Sequence, residues 1–165
     1  MQNHLREFAS MPGTVKPIPD GYSAVTPYLF IKGAARAIEF YKQAFGAVER
    51  MRLEMPGGIG HAELNLGDSV IMLADECPSV QALSPQSIGG TPVMIHLYVP
   101  DVDAVFARAL AGGAKVLQPV QDKFYGDRSG SLTDPFGHQW AVATRKENLS
   151  AEEIRTRAAA LAPKQ

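Results

Sequence analysis

The chain has one cysteine, Cys77, and one tryptophan, and its charges nearly cancel, with 16 Lys and Arg against 17 Asp and Glu in 165 residues. A lone thiol has no intramolecular disulfide partner, which fits a reducing compartment. There is no zinc-type cysteine spacing, no phosphate-cradling glycine loop and no Ser/His/Asp order of a hydrolase. A net charge of −1 leaves no broad cationic surface for a nucleic acid, whose binding rests on clustered Lys and Arg. No apolar run is long enough to span a bilayer, and residues 1–20 (MQNHLREFASMPGTVKPIPD) lack the apolar stretch of a signal peptide. These absences lead to the expectation of a cytoplasmic protein that binds neither nucleic acid nor membrane.

What is present suits one ordinary domain. The residues are 45% apolar, and a chain of this length buries about two-thirds of its unfolded surface without a disulfide or metal staple. Residues 1–21, with Pro12, Pro17, Pro19, Gly13 and Gly21, read as an irregular arm. From Tyr22 a pattern begins. Val25–Ile31 is a short apolar strand, and Ala34, Ile38, Tyr41 and Phe45 follow at helical spacing, stopped by Gly46. Val48–Glu54, His61–Leu66 and Ser69–Ala74 are strand-like, separated by Pro56-Gly57-Gly58 and Gly67-Asp68.

The second half repeats the order. Val93–Val99 reads as a strand. Asp101 caps a helix carrying Val102, Val105, Phe106 and Ala109, ended by Gly112-Gly113. Lys115–Val120, Gly130–Thr133 and Gln139–Thr144 are strand-like, with Asp134-Pro135-Phe136-Gly137 as a turn. The expected architecture is α+β: tandem βαβββ units over 22–146, namely 22–76 and 91–146, joined by a Pro- and Ser-rich linker at 77–90. Within 147–165, Ser150 and Glu153 form a capping box for a last helix, Ala151–Leu161.

Two such units, with TPYLFIKGAARAIEFYKQAFGA in the first and IHLYVPDVDAVF and FYGDRSGSLTDPFGHQW in the second, resemble the glyoxalase, bleomycin-resistance and extradiol-dioxygenase (vicinal oxygen chelate) superfamily. The likeness is to its small glyoxalase-like members. It implies a curved mixed-sheet cup enclosing a ligand or metal site, and a homodimer. Fold likeness alone does not assign an activity.

Alternation along the strands gives two faces, and the resemblance says which one lines the cup. Leu29 and Ile31, Ala62, Leu64 and Leu66, Ile71 and Leu73, and Trp140 and Val142 take the helix side, as do Ile95, Leu97 and Val99. The cup side then carries Thr26, Tyr28 and Phe30, His61, Glu63 and Asn65, Met72, Met94, His96 and Tyr98, and Gln139, Ala141 and Ala143. The superfamily's metal enzymes use four strand positions that align with Thr26, Met72, Met94 and Ala141. Thioether and methyl groups do not replace imidazole and carboxylate, so no cofactor is expected.

An alternative divalent-metal site is the set His61, Glu63 and His96, two imidazoles and a carboxylate on inward faces. Without metal, His96 or His61 is a candidate general base, or either simply orients a ligand in a hydrogen-bonded wall. Tyr28, Phe30 and Tyr98 with Met72 and Met94 suit a flat or apolar small-molecule partner, or equally an ordinary core. In Phe124–Gly130, Tyr125, Asp127 and Arg128 are candidates to close over a ligand, with Arg128 as an anion clamp; the plainer alternative is a surface turn pair. His138, after Gly137 in a tight turn, is expected to face solvent, and Cys77 has no partner that would make it a nucleophile. The leading expectation is thus a metal-free small-molecule binder, with a metal-dependent lyase, isomerase or dioxygenase as the alternative.

Overall fold

The computed structural model describes residues 15–161. The expected arm therefore lies outside the described residues as far as residue 14, as do residues 162–165 of the tail. Residues 15–27 form neither helix nor strand.

The first unit starts at β1 (Tyr28–Ile31), shorter than the apolar run because Pro27 has no N–H to give a ladder. Helix α1 (Ala34–Phe45) follows. Its N-cap, Gly33, has no side chain, and the Asp75 carboxylate supplies the missing acceptor, taking the Gly33 and Ala34 N–H groups at 2.9 and 2.8 Å. Gly46 ends the helix at φ 72°, the left-handed geometry that favours glycine. Strands β2 (Val48–Met55), β3 (Gly58–Leu66) and β4 (Ser69–Asp75) complete a four-stranded sheet in the order β1-β4-β3-β2, with β1 parallel to β4.

The second unit is built in the same way. β5 (Met94–Tyr98), α3 (Val102–Ala111), β6 (Lys115–Asp122), β7 (Asp127–Thr133) and β8 (Gln139–Arg145) give the order β5-β8-β7-β6, with β5 parallel to β8. As expected, the Asp101 side chain caps α3 by accepting from Ala104 N. The segment expected as a linker is ordered: a 3-10 turn (Pro78–Val80) and a four-residue helix α2 (Pro85–Ile88). The final helix α4 spans Ala151–Ala160, with the Ser150–Glu153 capping box in place.

One core serves both units. The helix-side residues of sheet one, Leu29, Ile31, Ala62, Leu64, Leu66, Ile71 and Leu73, are buried as alternation requires. Helix α1 covers that face and also packs on α3, which covers β6, β7 and β8. Phe40, Tyr41 and Phe45 of α1 form an aromatic cluster with Phe136 and Trp140, the Phe45 and Trp140 rings 4.7 Å apart. At its centre Asp134, 3% exposed, accepts from Tyr41 Oη (2.7 Å), Trp140 Nε1 (3.0 Å) and the N–H groups of Phe136 and His138 (2.9 and 3.0 Å). Burial beside this carboxylate drives the Tyr41 pKa well above its ordinary value.

The structure corrects two expectations about local order. Asp127, Arg128 and Ser129 belong to β7 rather than to a loop, because the backbone pairs with β8 from Asp127 onward. His138 is not solvent-facing: it is 9% exposed, and its Nε2–H donates to the Phe30 carbonyl at 3.3 Å, joining the two units.

Candidate functional site

The face of sheet one opposite α1 is organised by register. Tyr28 lies opposite Met72 and Met72 opposite Glu63, which in turn faces Met51; His61 is paired with Leu53. Since neighbouring strands sit about 4.8 Å apart, side chains along such a row touch. Here they join into a chain of hydrogen bonds. His61 Nε2 lies 3.2 Å from Glu63 Oε1, and His61 Nδ1 lies 2.9 Å from the Tyr28 hydroxyl. Tyr22 donates its hydroxyl to Glu63 Oε2, Arg50 Nε lies 3.9 Å from the same oxygen, and the Arg50 guanidinium sits 4.5 Å from the Tyr22 ring centroid.

Glu63 is 6% exposed, so its charge needs these partners. The Tyr22 hydroxyl, then His61 and Arg50, hold its carboxyl below the usual range despite burial, so it is ionised. A carboxylate only accepts; His61 Nε2 therefore carries the proton, and in the neutral ring Nδ1 is the acceptor for the Tyr28 O–H. Partial burial raises the Tyr28 pKa, so its hydroxyl stays protonated at neutral pH.

Tyr28 and Phe30 line two cavities. One, about 640 Å³, is closed by Met55–Gly60, Ala74–Cys77 and Val80–Ala82. The other, about 570 Å³, lies where β1 meets β5 and takes Met94, Ile95, His96, His138 and Gln139 from the second unit and Leu83, Pro85 and Ile88 from the segment between units. No Asp, Glu, Lys or Arg lines this second cavity.

Of the residues expected at the site, Tyr28, Phe30, Met94, His96 and Gln139 thus share one cavity, while His61 and Glu63 stand behind Tyr28. Met72 is half-buried between Tyr28 and Glu63 in register. Tyr98 and Tyr125 belong to a different cluster: Tyr98 Oη donates to Asp127 at 2.8 Å, which raises its pKa, and Tyr125 Oη lies 3.3 Å from Ser129 Oγ. Arg128 is not an anion clamp on either cavity. Its guanidinium grips Asp103 of α3 with two 2.8 Å bonds and Asp122 with one of 3.2 Å, so its donors are committed on the helix side.

Thr26 precedes β1, and Met72, Met94 and Ala141 offer no imidazole or carboxylate, so these residues do not fit the superfamily's divalent-cation site. Among the described residues no three His, Cys, Asp or Glu side chains are grouped to hold a metal ion; His61 and Glu63 meet, but His96 instead packs on Tyr98, ring centroids 4.7 Å apart.

Sequence reading missed Tyr22, and it placed Asp127 in a loop and His138 at the surface. His138 was findable: it lies just before β8, two residues ahead of the core residue Trp140 and in phase with it. Tyr22 and Asp127 carry no local signal, since their partners lie 41 and 29 residues away.

Comparison with known proteins agrees with this architecture. The chain is 44% identical over 135 residues to an uncharacterized protein of Mycobacterium tuberculosis, covering 79% of each chain. Among solved structures it is similar to a gene product of Arabidopsis thaliana (29% identity, TM-score 0.60, 74% of this chain and 98% of that one). It is also similar to TioX from Micromonospora sp. ML1 (28% identity, TM-score 0.59, 78% of this chain and 100% of that one). The sequence model of one family matches residues 23–142, and with two βαβββ units in place the chain belongs to the Glyoxalase/Bleomycin resistance protein/Dioxygenase superfamily.

Proposed function

We propose that this chain is a glyoxalase-like binding protein that holds a small organic molecule between its two units without the superfamily's usual metal. The observation that carries the reading is the cavity between β1 and β5, about 570 Å³, within the range of small-molecule sites. Its wall combines Tyr28, Phe30, Met94, Pro85 and Ile88 with the polar groups of His96, His138 and Gln139. Aromatic and thioether side chains suit a flat apolar body, and a few convergent polar atoms orient it. The reading includes a homodimer in the cytoplasm, supported by the apolar side chains left exposed on both sheets and by the single free thiol. No helix among the described residues is long and apolar enough to cross a membrane.

The test is metal analysis of the purified full chain alongside a thermal-shift screen with aromatic compounds and divalent cations. The expected outcome is a substoichiometric metal content and a raised Tm with at least one aromatic compound, since a ligand at 100 times its Kd adds about 2.7 kcal/mol. Stoichiometric Zn, Ni, Fe or Mn that is lost in His96→Ala would overturn the metal-free reading in favour of an enzyme using His61, Glu63 and His96.

A further inference from the structure

Two hydrogen-bonded histidines set the role of Tyr28 and of one ring edge in the β1–β5 cavity, whose wall also holds His96 and Gln139. Glu63 accepts from His61 Nε2–H, so in the neutral ring Nδ1 is the acceptor for the Tyr28 O–H at 2.9 Å. The Tyr28 oxygen therefore has its hydrogen committed inward and only lone pairs left for a visitor. At the opposite wall His138 gives its Nε2–H to the Phe30 carbonyl at 3.3 Å, which leaves its other ring nitrogen unprotonated. Burial lowers the His138 pKa, with Asp134 and the Phe30 carbonyl opposing, so the ring is neutral at physiological pH. His138 lines the cavity itself, whereas His61 acts on it through the Tyr28 hydroxyl. No Asp, Glu, Lys or Arg lines the wall, and Thr91, the one hydroxyl residue besides Tyr28, gives its hydrogen to the Val93 carbonyl at 3.3 Å.

We propose that this cavity selects a neutral, flat molecule bearing an O–H or N–H donor, such as a phenol or an aromatic amine, and that Tyr28 is the residue that reads the donor. The inference rests on the small-molecule reading above and deepens it. His61 and Glu63 are positioning residues: they do not line the cavity and act only by fixing the direction of the Tyr28 hydroxyl. A carboxylate or phosphate ligand meets no Lys or Arg there, only the neutral donors that His96 and Gln139 can offer, so anions are disfavoured. An aryl ether of the same shape leaves Tyr28 unpaired on desolvation, the costly side of hydrogen-bond energetics.

The experiment is titration calorimetry of the full chain at neutral pH with 2-naphthol, 2-methoxynaphthalene and 2-naphthoate. The expected result is binding of 2-naphthol about tenfold tighter than the ether, the size of one well-formed hydrogen bond, with naphthoate weakest. Tyr28→Phe, checked for native circular dichroism, is expected to bind the naphthol and the ether equally. A second measurement does not need a ligand: 15N chemical shifts of the His61 ring are expected to report a protonated Nε2 and a bare Nδ1. Equal affinity for naphthol and ether in the wild type, preference for naphthoate, or a protonated Nδ1 with a bare Nε2 overturns the donor-selection inference while leaving the cavity as a binding site. Failure of all three probes to bind overturns both.

Discussion

At the scale of single residues, Asp134 bears more of the structure than any side chain of the candidate site. It gathers four donors from α1, the turn and β8, so the two units meet on one buried carboxylate. Asp134→Asn keeps the shape but removes the charge, and its NH2 group confronts a donor that has nowhere else to go. The expected loss is about 3 kcal/mol, the scale of a hydrogen bond to a buried charged group, read as a shift of the urea midpoint by Trp140 fluorescence. A shift under about 0.5 kcal/mol would show that the network contributes little. Residue-level legibility followed the same division. His61, Glu63 and Asn65 against Ala62, Leu64 and Leu66 could be read directly, because strict alternation fixes a face. Partners from distant segments could not, since burial of Tyr22 against Glu63 or Tyr41 against Asp134 depends on where the chain returns.

At the scale of elements, the strands and both principal helices followed from period and capping signals, and the exceptions have physical causes. The β7 sequence DRSGSLT has no apolar alternation at its start; it is a strand because both neighbours pair with it and because Gly130 lets α3 approach, a Cβ there meeting Phe106 at 2.9 Å and Val120 at 3.0 Å. Composition also underrated the segment between the units. Glu76 accepts from Ser87 Oγ (2.7 Å) and the Ser84 N–H (3.0 Å), and these bonds hold its carboxyl down to about 2. A carboxyl depressed in the folded state stabilises above its unfolded value and loses that contribution as pH falls through the folded one. Glu76→Gln is therefore expected to lower Tm at pH 7, with the deficit shrinking from about pH 4.5 downward and vanishing near pH 2. Thermal melts of both proteins across that range check it; a deficit independent of pH would refute the charged-acceptor role.

At the scale of the molecule, the sheets leave much apolar surface uncovered. On β2, Met51 and Leu53 are 38 and 52% exposed on the side shared with His61 and Glu63; on β5, Met94 and Tyr98 are 46 and 60% exposed. Soluble monomers seldom leave such a stripe bare, and among the described residues the edges of β2 and β6 are unpaired as well. The expected sedimentation mass is twice 17.8 kDa, and Leu53→Asp is expected to shift it toward that of one chain. A wild-type protein that sediments as a single chain at every concentration tested removes the homodimer from the proposal. Why the fold was legible and the cavity was not follows from the same geometry. Period-two and helical patterns encode each unit separately, whereas the space between β1 and β5 depends on how the units abut, which Pro85, Ile88 and His138 help to set.

The solitary thiol has a practical consequence. Cys77 is exposed and lies on the rim of the cavity that shares Tyr28 and Phe30 with its neighbour. A maleimide dye has one attachment point in the whole chain, so a polarity-sensitive fluorophore placed there turns the protein into its own reporter of occupancy.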